Sequence, residues 1–245
     1  MLLEEYVVKQ RENILMRAID YPDQVIDTDG KEIYCVQQLC WLIPVAATKE
    51  KLEDYAKKFH THVEFTNGEK IAKIDFNNIS SPTLIPEVWA LCSFDGYMTP
   101  FIDLMGIKLS SNTELKDKGY DVDHWFSRSQ IEEDKSESIY LRLILNDASP
   151  NRSHGGSHER KAADHKEEVL QHTKDLEFMT PPQFLKALGK RFSKTVLTNK
   201  RYDKEKEEII EFLIRKLEAP REVVEKLFVE HFYDFTYKNT WNTTF

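Results

Sequence analysis

No stretch of the 245 residues approaches the ~20 consecutive apolar positions that a membrane-crossing helix needs, so no membrane partner is expected. Cysteine is scarce and badly spaced for metal. Cys35, Cys40 and Cys92 form no CxxC pair, which excludes a cysteine-built zinc site and suits reduced thiols in a cytoplasmic setting. Only 8 glycines are present, and none forms a phosphate-cradling loop or a nucleophile elbow. Basic residues are outnumbered, 34 Lys+Arg against 42 Asp+Glu, and the net charge of −8 argues against a generic nucleic-acid coat. The opening MLLEEYVVKQ carries acids where a secretory signal carries bases, so secretion is not expected. No internal repeat is visible.

The charge that is present is unevenly placed. From Asn151 onward there are 18 of the 34 bases and 16 of the 42 acids, a balance of +2, which leaves −10 on the first 150 residues. An acidic front half therefore precedes a neutral to basic back half. The front half suits docking of a basic partner; the back half suits contact with a polyanion.

Periodicity predicts mixed α+β structure. Residues 1 to 20 read as a helix with Leu3, Tyr6, Val7, Ile14 and Leu15 at helical spacing, ended by Tyr21-Pro22. KEIYCV reads as a strand. Leu39 to Ala47 is apolar but holds Pro44, leaving core strand and broken helix both open. Thr48 is a cap for a helix through Leu52, Tyr55 and Ala56 to about Phe59. HVEFTNGEKIAKIDF reads as a hairpin closed by Asn67-Gly68 in a two-residue type I′ turn. Trp89, Phe94, Phe101 and Ile102 are expected in the core. SSNTELKDKG reads as a polar linker.

Gly119 to Gly156, GYDVDHWFSRSQIEEDKSESIYLRLILNDASPNRSHGG, is where candidate chemistry concentrates. YDVDHW reads as a strand that projects Asp121 and Asp123 to one face and His124 to the other. A polar loop follows, then the apolar run Ile139 to Leu145 as a buried strand. Ser149-Pro150 reads as an N-cap and first helical residue, which puts Asn151 in a first helical turn. The order is strand with Asp-His, loop, strand, helix with Asn.

These residues resemble the HNH, or ββα-metal, endonucleases, above all the HNH domain of CRISPR effector proteins and small HNH restriction enzymes. The resemblance implies a central ββα-metal module within an α+β fold, and a phosphodiester hydrolase acting on DNA with Mg²⁺ or Mn²⁺. It implies Asp123 as metal ligand, His124 as general base, Asn151 as the helix-borne ligand and Asp121 as a further acidic ligand. Restriction or phage defence is the setting it implies. Two departures are plain. The central Asn that braces the loop between the strands has no counterpart among Ser138 to Leu141, and CxxC knuckles are absent. The likeness stops at Gly156.

Downstream, His158, His165 and His172 are seven apart, so neighbouring imidazoles lie about 10 Å apart on a helix and cannot share one ion. Thr180-Pro181-Pro182 opens an expected helix with Phe184, Leu185, Leu188 and Phe192 along one face. Lys186 to Lys204 holds seven bases against the single acid Asp203, interleaved with Phe192 and Tyr202. In that stretch Lys190, Arg191, Lys194, Lys200 and Arg201 are the candidates for phosphate-backbone contact, joined by Arg128 and Arg152 beside the motif. Two amphipathic helices follow. The expected organisation is an α/β recognition or protein-partner region (1–110), the HNH-like module (111–178) and a helical region with the basic patch (179–245). Two rival functions remain open: a non-enzymatic protein that docks a partner through its acidic half or aromatic tail, and an HNH-derived DNA-binding protein that does not cut.

Overall fold

The computed structural model describes residues 1–19, 25–26, 32–33, 44–76, 85–111, 113–128, 131, 136–149, 151, 176–177, 186–189, 207–208, 210–215 and 220–228. Among these the fold is mixed α+β. A seven-stranded antiparallel sheet runs in the order β4 (Val63–Thr66), β5 (Ile71–Ile74), β6 (Glu87–Leu91), β8 (Tyr140–Asp147), β3 (Val45–Ala46), β9 (Leu176–Glu177), with β7 (Tyr120–His124) also paired to β8. A separate two-stranded ribbon joins β1 (Val25–Ile26) and β2 (Glu32–Ile33). Residues on both sides of the 110/111 boundary contribute to the one sheet.

β8 is the apolar run of the motif, and its neighbours account for its burial. β6 pairs along Val88↔Leu143 to Leu91↔Tyr140; β3 takes Tyr140 and Leu141. β7 takes Leu143 to Asp147. Where β6 runs out, Gln10 of α1 (Leu3–Ile19) replaces it. Its amide donates to the Leu145 carbonyl at 2.8 Å and accepts from the Leu145 N–H at 2.9 Å, satisfying buried backbone groups that would otherwise be orphaned.

Each face of the sheet has its own core. On one, Leu3, Tyr6 and Val7 of α1 and Phe101 and Ile102 of α3 (Met98–Leu104) pack over Val88, Ala90, Leu143, Leu145 and Val122. Pro100 is tolerated because it falls in the first turn of α3, where backbone N–H groups lack helical partners. On the other face, Leu52, Tyr55 and Ala56 of α2 (Lys49–Lys58) cover Ala72, Ile74, Trp89 and Tyr140. Thr48 caps α2 as expected, accepting from the Lys51 N–H at 3.3 Å. Beneath α2 the buried Glu87 carboxylate pairs with Arg142 at 3.0 Å and accepts from Tyr55 Oη and Trp89 Nε1, each at 3.1 Å.

Two local expectations are corrected. The β4–β5 hairpin exists, but Thr66↔Ile71 is its last pair, so the loop is the four residues Asn67 to Lys70. Asn67, Gly68 and Glu69 all take positive φ, and this run, rather than a two-residue type I′ turn, reverses the chain. The supposed linker contains a short helix, α4 (Glu114–Asp117), whose Glu114 and Leu115 are buried. Glu114 accepts from the Ser110 backbone and hydroxyl, which fixes the entry to the helix. A further helix, α5 (Arg221–Phe228), lies in the back half; its Arg221 is held by Glu207, Glu211 and Glu225.

Candidate functional site

The strand–strand–helix order of the motif is present. β7 pairs with β8 from Tyr120↔Asp147 to His124↔Leu143, and the backbone turns helical at Ala148, Ser149 and Asn151. The helix therefore begins earlier than Ser149, which lies in its first turn instead of capping it. Alternation along β7 does what the sequence suggested. Val122 enters the α1–α3 core, Asp121 and Asp123 project to the other face, and His124 is again on the core side.

Asp123 gathers the group. Its Oδ1 accepts from the His124 backbone N–H at 2.8 Å, and its Oδ2 lies 3.1 Å from Lys186 Nζ. The Asn151 side chain also hydrogen-bonds to it. Burial pushes the Asp123 carboxyl up; the charge and hydrogen bond of Lys186, with His124 and Asn151, outweigh that and hold it below its ordinary range. The strand and the helix onset thus bring Asp123, His124 and Asn151 together, with Asp123 and Asn151 in direct contact.

His124 is 2% exposed. Its ring packs edge-to-face with that of Tyr97 at a centroid distance of 4.4 Å, and Nε2 has no hydrogen-bond partner among the described residues. Burial drives its pKa down to about 4, against the pull of Asp123 and with the help of Arg128 and Lys186. The imidazole is therefore neutral at pH 7, in the charge state a proton acceptor needs.

Two residues join the site that sequence reasoning did not assign to it. Lys186 was grouped with the basic patch, but its side chain is 1% exposed and is committed to Asp123 and, at 3.5 Å, the His124 carbonyl. Nothing local marks it beyond its apolar neighbours Leu185 and Ala187, since the contact spans 63 positions. Asn146 lies directly across from Asp121 on the Asp123 face, is 1% exposed, and has no partner for either side-chain polar atom among the described residues. Gly189 closes the segment over β8: its φ of 75° is left-handed, and a Cβ there would lie 2.2 Å from Asp147 Oδ2. Asp147 is held in turn by Arg11 at 2.6 Å.

Of the expected phosphate contacts, Arg128 is engaged by Asp95, whose side chain is 84% exposed, a pair that water screens heavily. Arg152, Lys190, Arg191, Lys194, Lys200 and Arg201, and His154, His158, His165 and His172, lie outside the described residues. Among the described residues no group of three or more His, Cys, Asp or Glu is arranged to hold a metal ion, and no helix is long and apolar enough to cross a membrane. Cys92 is buried, and burial pushes its thiol up, away from reactivity. No protein-family model, curated protein or solved structure matches the chain.

Proposed function

We propose that this protein is a metal-dependent DNA endonuclease of HNH type, with Asp123, His124 and Asn151 as its working residues. The observation that supports the reading is the meeting of an Asp-His strand end with an Asn-bearing helix start, in which Asn151 hydrogen-bonds to Asp123. Asp123 offers a carboxylate that is 30% exposed, and the Asn151 amide, which donates its N–H to that carboxylate here, would offer its oxygen to a hard divalent ion after turning over. Asp123 and Asn151 would hold Mg²⁺ or Mn²⁺, with Asp121 on the same face as a further carboxylate. The ion supplies neutralisation of the charge that builds on the scissile phosphate and its leaving oxygen.

The chain's own groups do the rest. His124 accepts the proton of a water whose oxygen bonds to phosphorus as the P–O3′ bond breaks. His124 is 2% exposed with the Tyr97 ring packed against it, so the site has to open for water to reach the imidazole. Arg128, exchanging Asp95 for the substrate, steadies the phosphate, and Arg152 is a further candidate for that contact. The bases from Lys190 to Arg201 track the DNA backbone. A role in restriction or phage defence, and protein recognition by residues 1–110, complete the proposal.

A second reading, DNA binding without cleavage, is favoured by one observation: the Asp123 carboxylate already has an ammonium partner in Lys186. Incubating the purified protein with supercoiled plasmid and with single-stranded DNA, in Mg²⁺, Mn²⁺ or EDTA, separates the two. The proposal expects nicking with either metal and none in EDTA. Salt-sensitive binding without turnover supports the second reading instead.

A further inference from the structure

Lys186 is an unusual companion for a carboxylate that would bind metal. Its side chain is 1% exposed and its Nζ lies 3.1 Å from Asp123 Oδ2, on the oxygen that a cation would also use. The ammonium also reaches the His124 carbonyl at 3.5 Å, so it bridges the side chain and the backbone of the Asp-His pair. The lysine is held in place from behind, because the turn it opens ends at Gly189, pressed against the Asp147 carboxylate that Arg11 fixes.

We propose that Lys186 is a tethered cation that occupies Asp123 until a divalent ion displaces it. The proposal rests on the reading of Asp123 as a metal ligand. A divalent ion on that oxygen and the ammonium beside it repel each other at contact distance, in a site that water screens only in part. Binding of the ion and release of the ammonium are therefore one event. In the metal-free protein Lys186 neutralises a carboxylate that burial would otherwise penalise. The lysine thus sets the ion concentration at which the site loads, and a monovalent ion has too little charge to outbid it.

The test measures binding directly. Mn²⁺ is titrated into the wild type, Lys186→Gln, Asp123→Asn and the double variant, with free Mn²⁺ read by electron paramagnetic resonance and folding checked by circular dichroism. Lys186→Gln is expected to bind Mn²⁺ about tenfold more tightly than the wild type, with the gain abolished in the double variant. Equal or weaker binding by Lys186→Gln, or no binding by any of the proteins, overturns the proposal. A measurement on the wild type guards against a variant that fails to fold. Labelling of Lys186 by an amine-reactive reagent, read by mass spectrometry, is expected to rise when Mg²⁺ is added, and unchanged labelling overturns the displacement. DNA cleavage is scored separately. Displacement without cutting removes the nuclease reading alone, and cutting without displacement removes this inference alone.

Discussion

Glu87→Ala tests whether β8, the strand against which β7 pairs, is held by one buried charge pair. Glu87 and Arg142 side chains are 0% and 4% exposed and lie 3.0 Å apart. Truncation takes the carboxylate away from the Arg142 guanidinium in the core, which also lies over the Trp125 ring at 4.7 Å. Tyr55 Oη and Trp89 Nε1 lose their acceptor as well. Removing one partner of a buried pair costs about 3–5 kcal/mol, and each stranded donor about 1–3 kcal/mol, but groups in one network do not add. The expected loss is about 4 kcal/mol, a large share of the 5–15 kcal/mol typical of a domain. Urea unfolding followed by circular dichroism measures it. The double variant Glu87→Leu/Arg142→Met removes both charges and should be more stable than Glu87→Ala. A loss below about 1 kcal/mol, or a double variant less stable than the single, would refute the reasoning. Arg142 precedes Leu143, the partner of His124 across the β7–β8 pair. Activity should therefore fall in Glu87→Ala only as far as the folded fraction falls.

Acidification should act through His124. Burial holds its pKa at about 4, below the 6.5 of an exposed histidine, so between those values the unfolded chain takes up a proton that the folded chain refuses. Stability from this group is complete above pH 6.5 and is lost as pH falls toward 4, by up to about 3 kcal/mol. Urea midpoints across that window should show a slope in the wild type that His124→Leu flattens; equal slopes would remove the claim. Gly189→Ala should lower stability by about 1–3 kcal/mol, because its φ of 75° is strained for alanine and the added Cβ meets Asp147. An unchanged melting temperature would show that the turn bearing Lys186 is not fixed at this point.

Where a feature depends on neighbours in sequence, it could be read in advance. The α1 stripe of Leu3, Tyr6, Val7 and Ile14, the Thr48 cap and the buried Trp89 and Phe101 follow from spacing and residue type, and all are found. So are the alternation of β7 and the helical turn bearing Asn151. Contacts between distant segments left no local trace. Lys186 read as one more base in a basic run, and only the fold buries it against Asp123. Asn146 stood just past the apolar run that ends at Leu145, and its place across from Asp121 follows from the β7–β8 register alone. The Asn67 loop was misjudged because Asn-Gly marks a reversal without fixing its length; Glu69 extends the left-handed run by one more residue.

The central claim is that Asp123, His124 and Asn151 form one hydrolytic centre. The most direct test compares initial rates of plasmid nicking in Mg²⁺ for the wild type, His124→Ala and Asn151→Ala, with melting temperatures measured on the same preparations. The account predicts metal-dependent nicking by the wild type, lost by about a hundredfold or more in each variant while both stay folded. Nicking that survives His124→Ala at the wild-type rate, or no nicking by a folded wild type with either metal, would contradict it.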